Sequence, residues 1–301
     1  MSISLNGRQY PVAGLASEVV GLARQLAENA RLITPLPEDT DLTDAEDKNT
    51  QAQVFNFPSS THILITHPLP QIRGVTPLPS LLVNAWWLAF SAQHLPALAT
   101  SLCAPNSEKR PKSVSKLIQI LSLLPEPKSN PYLRRFLTNS TTAAGLPNAV
   151  ARAFCSRVEL RRGSGPGAIA ALIANLLFWC PPSLGDDGKA AIDASLRQDL
   201  ASKLEIITET ASFASLSTVQ QAEVQRLHGL LGALEAMPEA TYVTSTRQYL
   251  EGQLEGCAYP DCDEDGAQRC TRCKSVEYCG KECQTLHWKN GHKLVCFSPS
   301  F

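Results

Sequence analysis

Seven cysteines and one histidine close the chain as Cys257-x4-Cys262-x7-Cys270-x2-Cys273-x5-Cys279-x3-Cys283-x8-His292-x3-Cys296. Zinc takes four sulfur or imidazole ligands in a tetrahedron at about 2.0 to 2.3 Å, and a short turn is what brings two such ligands to one ion. Eight ligands in four closely spaced pairs therefore suit two closed sites, two Zn2+ per chain. A closed site leaves no position for water or substrate, so the metal is expected to build a fold instead of doing chemistry.

The remaining sequence is ordinary in bulk. The chain has 301 residues, 44% apolar and 18% charged, enough to bury a sizeable core. A formal net charge of -1 gives no global attraction to phosphate backbones or anionic membranes. The start, MSISLNGRQYPVAG, lacks the basic opening and apolar stretch of a signal peptide, and no run is long and apolar enough to span a bilayer. A cytoplasmic or nuclear location is expected, and Cys103, Cys155 and Cys180, outside the cluster, are read as buried small hydrophobes.

Apolar residues recur at helical spacing along most of the chain. Val12, Leu15, Val19, Leu22 and Leu26 mark a first helix. Residues 34–52, rich in Asp, Glu, Thr and Pro, read as a mobile acidic loop. Around His62 to Thr66 the alternation allows a short extended stretch. Leu78 to Leu95, with Trp86 and Trp87, is apolar on nearly all sides, as a core helix is. Further helical patterns cover Val114 to Leu124, stopped by Pro125 and Pro127, then Tyr132 to Phe136, Asn148 to Val158 and Ile169 to Trp179. Two amphipathic helices follow, one with Ile192, Leu196, Leu200, Leu204 and Ile207 on a face, the other with Val224, Leu227, Leu231 and Leu234. Thr218 and Gln221 stand at capping-box spacing ahead of the second, and a last short helix runs from Thr244 to Gln253. The fold class is mainly α: an irregular bundle or an armadillo/HEAT-like region over residues 1–250, then the metal module at 257–296.

The string YCGKECQTLHWKNGHKLVC, with the cysteine pairs before it, resembles a MYND zinc finger over residues 257–296. The resemblance implies interleaved sites: Cys257, Cys262, Cys279 and Cys283 on one zinc, Cys270, Cys273, His292 and Cys296 on the other. Helical spacing within Cys279-x3-Cys283 and His292-x3-Cys296 suggests that both closing pairs project from one helical face. The first pair has four intervening residues where many family members have two; Asp261 or Asp263 stands by as an oxygen ligand, with the Cys257 thiolate preferred. His292 is assigned to the metal and His287 is not. The resemblance further implies a shallow groove for short proline-containing peptides, matched by Tyr278, Gln284 and Trp288. A flat indole suits a proline ring, and an extended ligand has little entropy to lose.

Catalysis is disfavoured. The family's SET lysine methyltransferases carry an Asn-His-Ser-Cys-like signature, and this chain has no Asn-His pair. Arg161 to Gly167 lacks the Lys-Ser/Thr of a phosphate loop and reads as a helix-starting turn. From Glu251 onward six Lys/Arg face eight Asp/Glu, an acidic balance that opposes direct nucleic-acid binding. The expected function is that of a non-enzymatic adaptor or regulator, binding partners with Pro-Leu-Pro-type motifs, with no membrane partner. Armadillo-like regions followed by such a finger also occur in adaptors of ubiquitin ligases. Three Pro-Leu-Pro strings, near Pro35, Pro68 and Pro77, lie within this chain itself and are read as loop chemistry.

Overall fold

The computed structural model describes residues 2–5, 8–11, 15–37, 39–50, 78–156 and 165–301. Expectations placed elsewhere, including the extended stretch at His62 to Thr66, lie outside them. The chain divides into two compact units, one of Met1–Thr34, Thr43–His94 and Gly256–Ser300, the other of Pro35–Leu42, Leu95–Glu255 and Phe301.

The first unit opens with a hairpin in which β1 (Ser2–Leu5) pairs antiparallel with β2 (Arg8–Pro11), Leu5 opposite Arg8. Four-residue strands are too short to show alternation in sequence. Helix α1 (Leu15–Asn29) buries Leu15, Val19, Ala23, Leu26 and Ala27 along one stripe, while Leu22 is only half-buried. Arg31 ends it in the left-handed conformation at φ 58°.

The acidic stretch that reads as a loop contains a helix, α2, over 44–50. The signal in the sequence is Thr43-x-x-Glu46, a capping box: Glu46 N–H donates to Thr43 Oγ1 at 3.3 Å and Thr43 N–H to Glu46 Oε2 at 2.9 Å. Arg31 also grips Glu46, holding its carboxyl down at about 2. Thr50, 1% exposed, donates to the Asn29 carbonyl at 3.1 Å and ties α2 to the end of α1. Composition alone hides such local and tertiary bonds.

Helix α3 (Leu78–Cys103) holds the tryptophan pair in the core, Trp86 fully buried and its ring centroid 4.4 Å from that of Trp87. It does not stop at Leu95 but runs through Pro96. Proline has no N–H to offer the carbonyl four residues back, Ala92. The N–H of Ser300, beyond the finger, donates to Ala92 O at 2.9 Å in its place.

In the second unit, α7 (Gly165–Trp179) is apolar all round and buries Ile169, Leu172, Ile173, Leu176, Leu177 and Trp179. Around it pack α4 (Pro111–Leu123), α5 (Pro131–Thr138), α6 (Leu146–Cys155), α10 (Thr218–Ala236) and α11 (Thr241–Gly252). A helix touching five others, near and far in sequence, is the arrangement of a bundle; in a stacked repeat each unit meets only its neighbours. Gly165, at φ 73°, makes the turn into α7, and a Cβ on Gly167 would lie 2.6 Å from the backbone of Gln220, so glycine there permits the close α7–α10 approach. The cap of α10 lies one residue earlier than its spacing suggests: Ser217 accepts from the Gln220 N–H, and Gln221 donates instead to the Leu216 carbonyl at 3.0 Å.

Helix α8 (Ala194–Glu209) departs most from its pattern, with Arg197 buried beside Leu200 and Leu204. A short turn of helix, α9 (Ala211–Ala214), follows it. Of the three cysteines outside the cluster only Cys180 is buried, which pushes its thiol up to about 12; Cys103 is exposed and Cys155 half-exposed. Among the described residues no helix is long and apolar enough to cross a membrane.

Asp41 caps α4 from 70-odd residues away. Its carboxylate accepts the backbone N–H of Lys112 at 3.0 Å and of Ser113 at 2.9 Å, and the Ser113 hydroxyl at 2.7 Å. Burial opposes the charge, yet these donors outweigh it and hold the carboxyl below its ordinary 3.8. A lowered folded-state value means stability present above the ordinary carboxylate range and lost as pH falls below it. Asp41→Ala is expected to cost about 1 kcal/mol in denaturant unfolding at pH 7. The gap between variant and parent should close as pH drops below 3.8; a gap independent of pH would show that the carboxylate charge is not what matters.

Candidate metal centre and interaction surface

The finger begins where Cys257 N–H donates to the Glu264 carbonyl at 2.8 Å and Ala258 N–H to that of Glu277 at 2.8 Å. Within the four-residue spacer, Cys262 N–H turns back to the Tyr259 carbonyl at 3.1 Å, which returns Cys262 to the side of Cys257. A two-stranded ribbon follows, β3 (Gln268–Arg269) paired with β4 (Glu277–Tyr278). Its connection carries Cys270 and Cys273, closed by Lys274 N–H to Cys270 O at 2.8 Å, with Lys274 in the left-handed region at φ 53°. Helix α12 (Lys281–His287) leads through a widened turn, Trp288–His292, into the short α13 (Lys293–Val295).

These elements collect the eight ligands into two groups, Cys257, Cys262, Cys279 and Cys283, and Cys270, Cys273, His292 and Cys296, with ligand atoms in each lying within 4.8 Å of one another. The interleaving implied by the resemblance is thus present, and neither Asp261 nor Asp263 is needed. Sulfur separations are 3.6 Å for Cys262–Cys279, 3.4 Å for Cys279–Cys283 and 3.7 Å for Cys270–Cys296, and Cys273 Sγ is 3.8 Å from His292 Nε2. A tetrahedron with bonds of about 2.3 Å has edges of about 3.8 Å, so both groups fit zinc. A disulfide would need about 2.05 Å.

The two closing pairs do not share a helical face. Cys279 precedes α12, Cys283 lies in it, and Cys296 follows α13. Between them Gly291, at φ 136°, breaks the helical path and turns His292 toward the second group. Helical spacing within each pair suggested a single face; the glycine between the pairs decides otherwise.

Electrostatics make the case for a cation. In the second group the Cys273 thiol is drawn down to about 4, first by the Cys296 thiol hydrogen-bonded to it and then by His292. Cys296 is in turn pushed up by the same contact, because a second negative sulfur beside the first is costly. Cys283 is pushed up likewise by Cys279. A divalent ion supplies the charge that lets every thiol of a group ionise together. The second group is buried throughout, whereas the first is half-exposed.

Tyr278 is 1% exposed and lies beneath the surface. Burial, then the surrounding sulfurs, pushes its hydroxyl up, and the hydroxyl is hydrogen-bonded with His287 Nδ1 at 3.1 Å. Burial, and then His292 beside it, pulls the His287 ring below its ordinary value. His287, whose ring centroid is 5.0 Å from that of His292, is thus a supporting residue that ligand spacing does not reveal. Leu294 and Phe297 complete the small core, and α13 packs on α1 in the same unit. Gln284 is half-buried on α12, and Trp288, one turn on, stands 38% exposed with its ring 6.0 Å from His292.

Fold and site define a mainly helical protein carrying an interleaved two-zinc finger, a metal-built module for contacting other proteins. Residues 257–296 match the family model described as MYND finger, and this segment is a MYND finger. Among similar proteins, ubiquitin carboxyl-terminal hydrolase 17 of Arabidopsis thaliana is 49% identical over 45 residues, 15% of this chain and 6% of the relative. Ubiquitin C-terminal hydrolase 15 of Oryza sativa subsp. japonica is 51% identical over 64 residues, 21% of this chain and 6% of the relative. An F-box protein of Arabidopsis thaliana is 26% identical over 124 residues, 40% of this chain and 36% of the relative. The hydrolase matches span so little of those proteins that their names do not place a catalytic domain in this chain. No solved structure matches.

Proposed function

We propose that this protein is a non-enzymatic adaptor or regulator whose finger holds proline-containing segments of partner proteins, of the Pro-Leu-Pro type, on the face of α12. One observation carries the reading: an indole left 38% exposed on a frame that has few apolar residues to spare. Trp288 offers a flat wall for a proline ring, and Gln284 beside it offers an amide to an extended backbone. Tyr278 contributes by fixing His287 beneath them. The finger's acidic balance speaks against direct nucleic-acid binding, and a reducing compartment, cytoplasmic or nuclear, suits seven metal-bound thiolates.

The test is calorimetric titration of the zinc-loaded chain with a synthetic peptide centred on Pro-Leu-Pro. Trp288→Ala should weaken binding by at least about tenfold, the effect of removing a buried aromatic anchor, while zinc content stays at two per chain. Equal binding by parent and variant discards the groove.

A further inference from the structure

We infer that the segment held on α12 carries acidic side chains on both flanks of its proline; this rests on the peptide-binding reading above. Gln284, Thr285 and Trp288 lie three, four and seven residues after Lys281 and so share one face of the helix with it. The backbone supports that alignment: Thr285 Oγ1 donates to Lys281 O at 2.8 Å, and the Trp288 N–H donates to Gln284 O. Lys281 and Lys289 are exposed, and among the described residues neither they nor Lys293 enter an ion pair. Glu282 is the one acid between 281 and 293; it sits about 100° round the helix from Lys281 and, on the side that Lys289 takes, about 10 Å along the helix from that lysine.

Of the finger's other acids, Glu277 is paired with Arg269 at 2.6 Å and four lie elsewhere. Asp261, Asp263, Glu264 and Asp265 are exposed on the stretch around Cys262, which shares its group with Cys283. Cys283 is five residues before Trp288, about 140° away round α12. An acidic module thus presents a locally basic strip, and its indole is bracketed by unpaired lysines. Seven helical residues from Lys281 to Trp288 rise about 10 Å, which an extended peptide covers in about three residues at roughly 3.3 Å each. An acid three positions from the proline meets Lys281, and one next to the proline on the other side meets Lys289. The occupant these features fit is an extended, acid-flanked, proline-containing segment of another protein.

The experiment uses the zinc-loaded full chain and three labelled peptides with one Pro-Leu-Pro centre and Glu, Gln or Lys at the two flanking positions, read by fluorescence anisotropy. In 50 mM salt the Glu peptide should bind about tenfold tighter than its Gln isostere, as two exposed ion pairs allow. In 500 mM salt the gap should shrink to about twofold or less. Lys281→Glu with Lys289→Glu should reverse the order in favour of the Lys peptide. Equal binding of Glu and Gln peptides, both lost in Trp288→Ala, overturns the flanking charges and leaves the groove standing. An acid preference that survives Trp288→Ala also overturns it, because the charges then act without the groove. Absence of binding by all three peptides, to parent and variant alike, removes the groove and this inference together.

Discussion

Chelation of zinc with an excess of a strong chelator is expected to unfold residues 257–296 and to strip amide protection from them. Ribbon strands of two residues and a core of Tyr278, Leu294 and Phe297 bury far too little apolar surface to offset the entropy of ordering forty residues. Structural zinc binding, on the order of 10 kcal/mol or more per site near neutral pH, supplies the difference. The two sites are not equivalent. Cys273→Ser opens the group that is buried throughout and packed with Tyr278 and Leu294, and should reduce bound zinc below one per chain because the rest of the finger is built on that core. Cys257→Ser opens only the half-exposed group and should leave about one zinc per chain, as elemental analysis will report. Exchange in α1 should rise with metal loss, since α13 packs on it. Full protection of the finger after chelation would contradict a metal-built fold.

Removing both acids around Arg197 should cost about 3 to 5 kcal/mol. The Arg197 side chain is 0% exposed and reaches Asp187 at 2.5 Å, Glu235 at 2.6 Å and the Ile192 carbonyl at 2.6 Å, tying the Asp187–Ile192 segment to α8 and α10. Asp187→Ala with Glu235→Ala leaves a guanidinium in the interior with one carbonyl for company. Arg197→Met removes the charge itself and keeps most of the volume, while Asp187 and Glu235, 29% and 43% exposed, turn to water. That variant should cost less, about 1 to 2 kcal/mol. Denaturant unfolding of the two variants gives the ordering, and the reverse order would mean that the guanidinium contributes packing and not charge pairing.

The helices of the second unit were legible because burial imposes a period that residue order displays. Val224, Leu227, Leu231 and Leu234 stand on one face of α10 in sequence and in space. The eight ligands were legible for a stronger reason: tetrahedral coordination requires particular side chains at short spacings, and few other purposes do. The Thr43–Glu46 box was written in the sequence too, but the acidic composition around it pointed toward a loop.

Other features depend on partners distant in the chain. The charge of Arg197 can be buried on α8 because carboxylates arrive from a loop and from α10. Pro96 can continue α3 because Ser300, 208 residues from Ala92, donates the missing hydrogen bond. His292 leaves the line of α12 because Gly291 alone accepts that backbone turn. Ligand identity and helical period are local properties that sequence determines by itself. Which polar group finds its partner across the fold is a question of distance in space, and only the tertiary structure decides it.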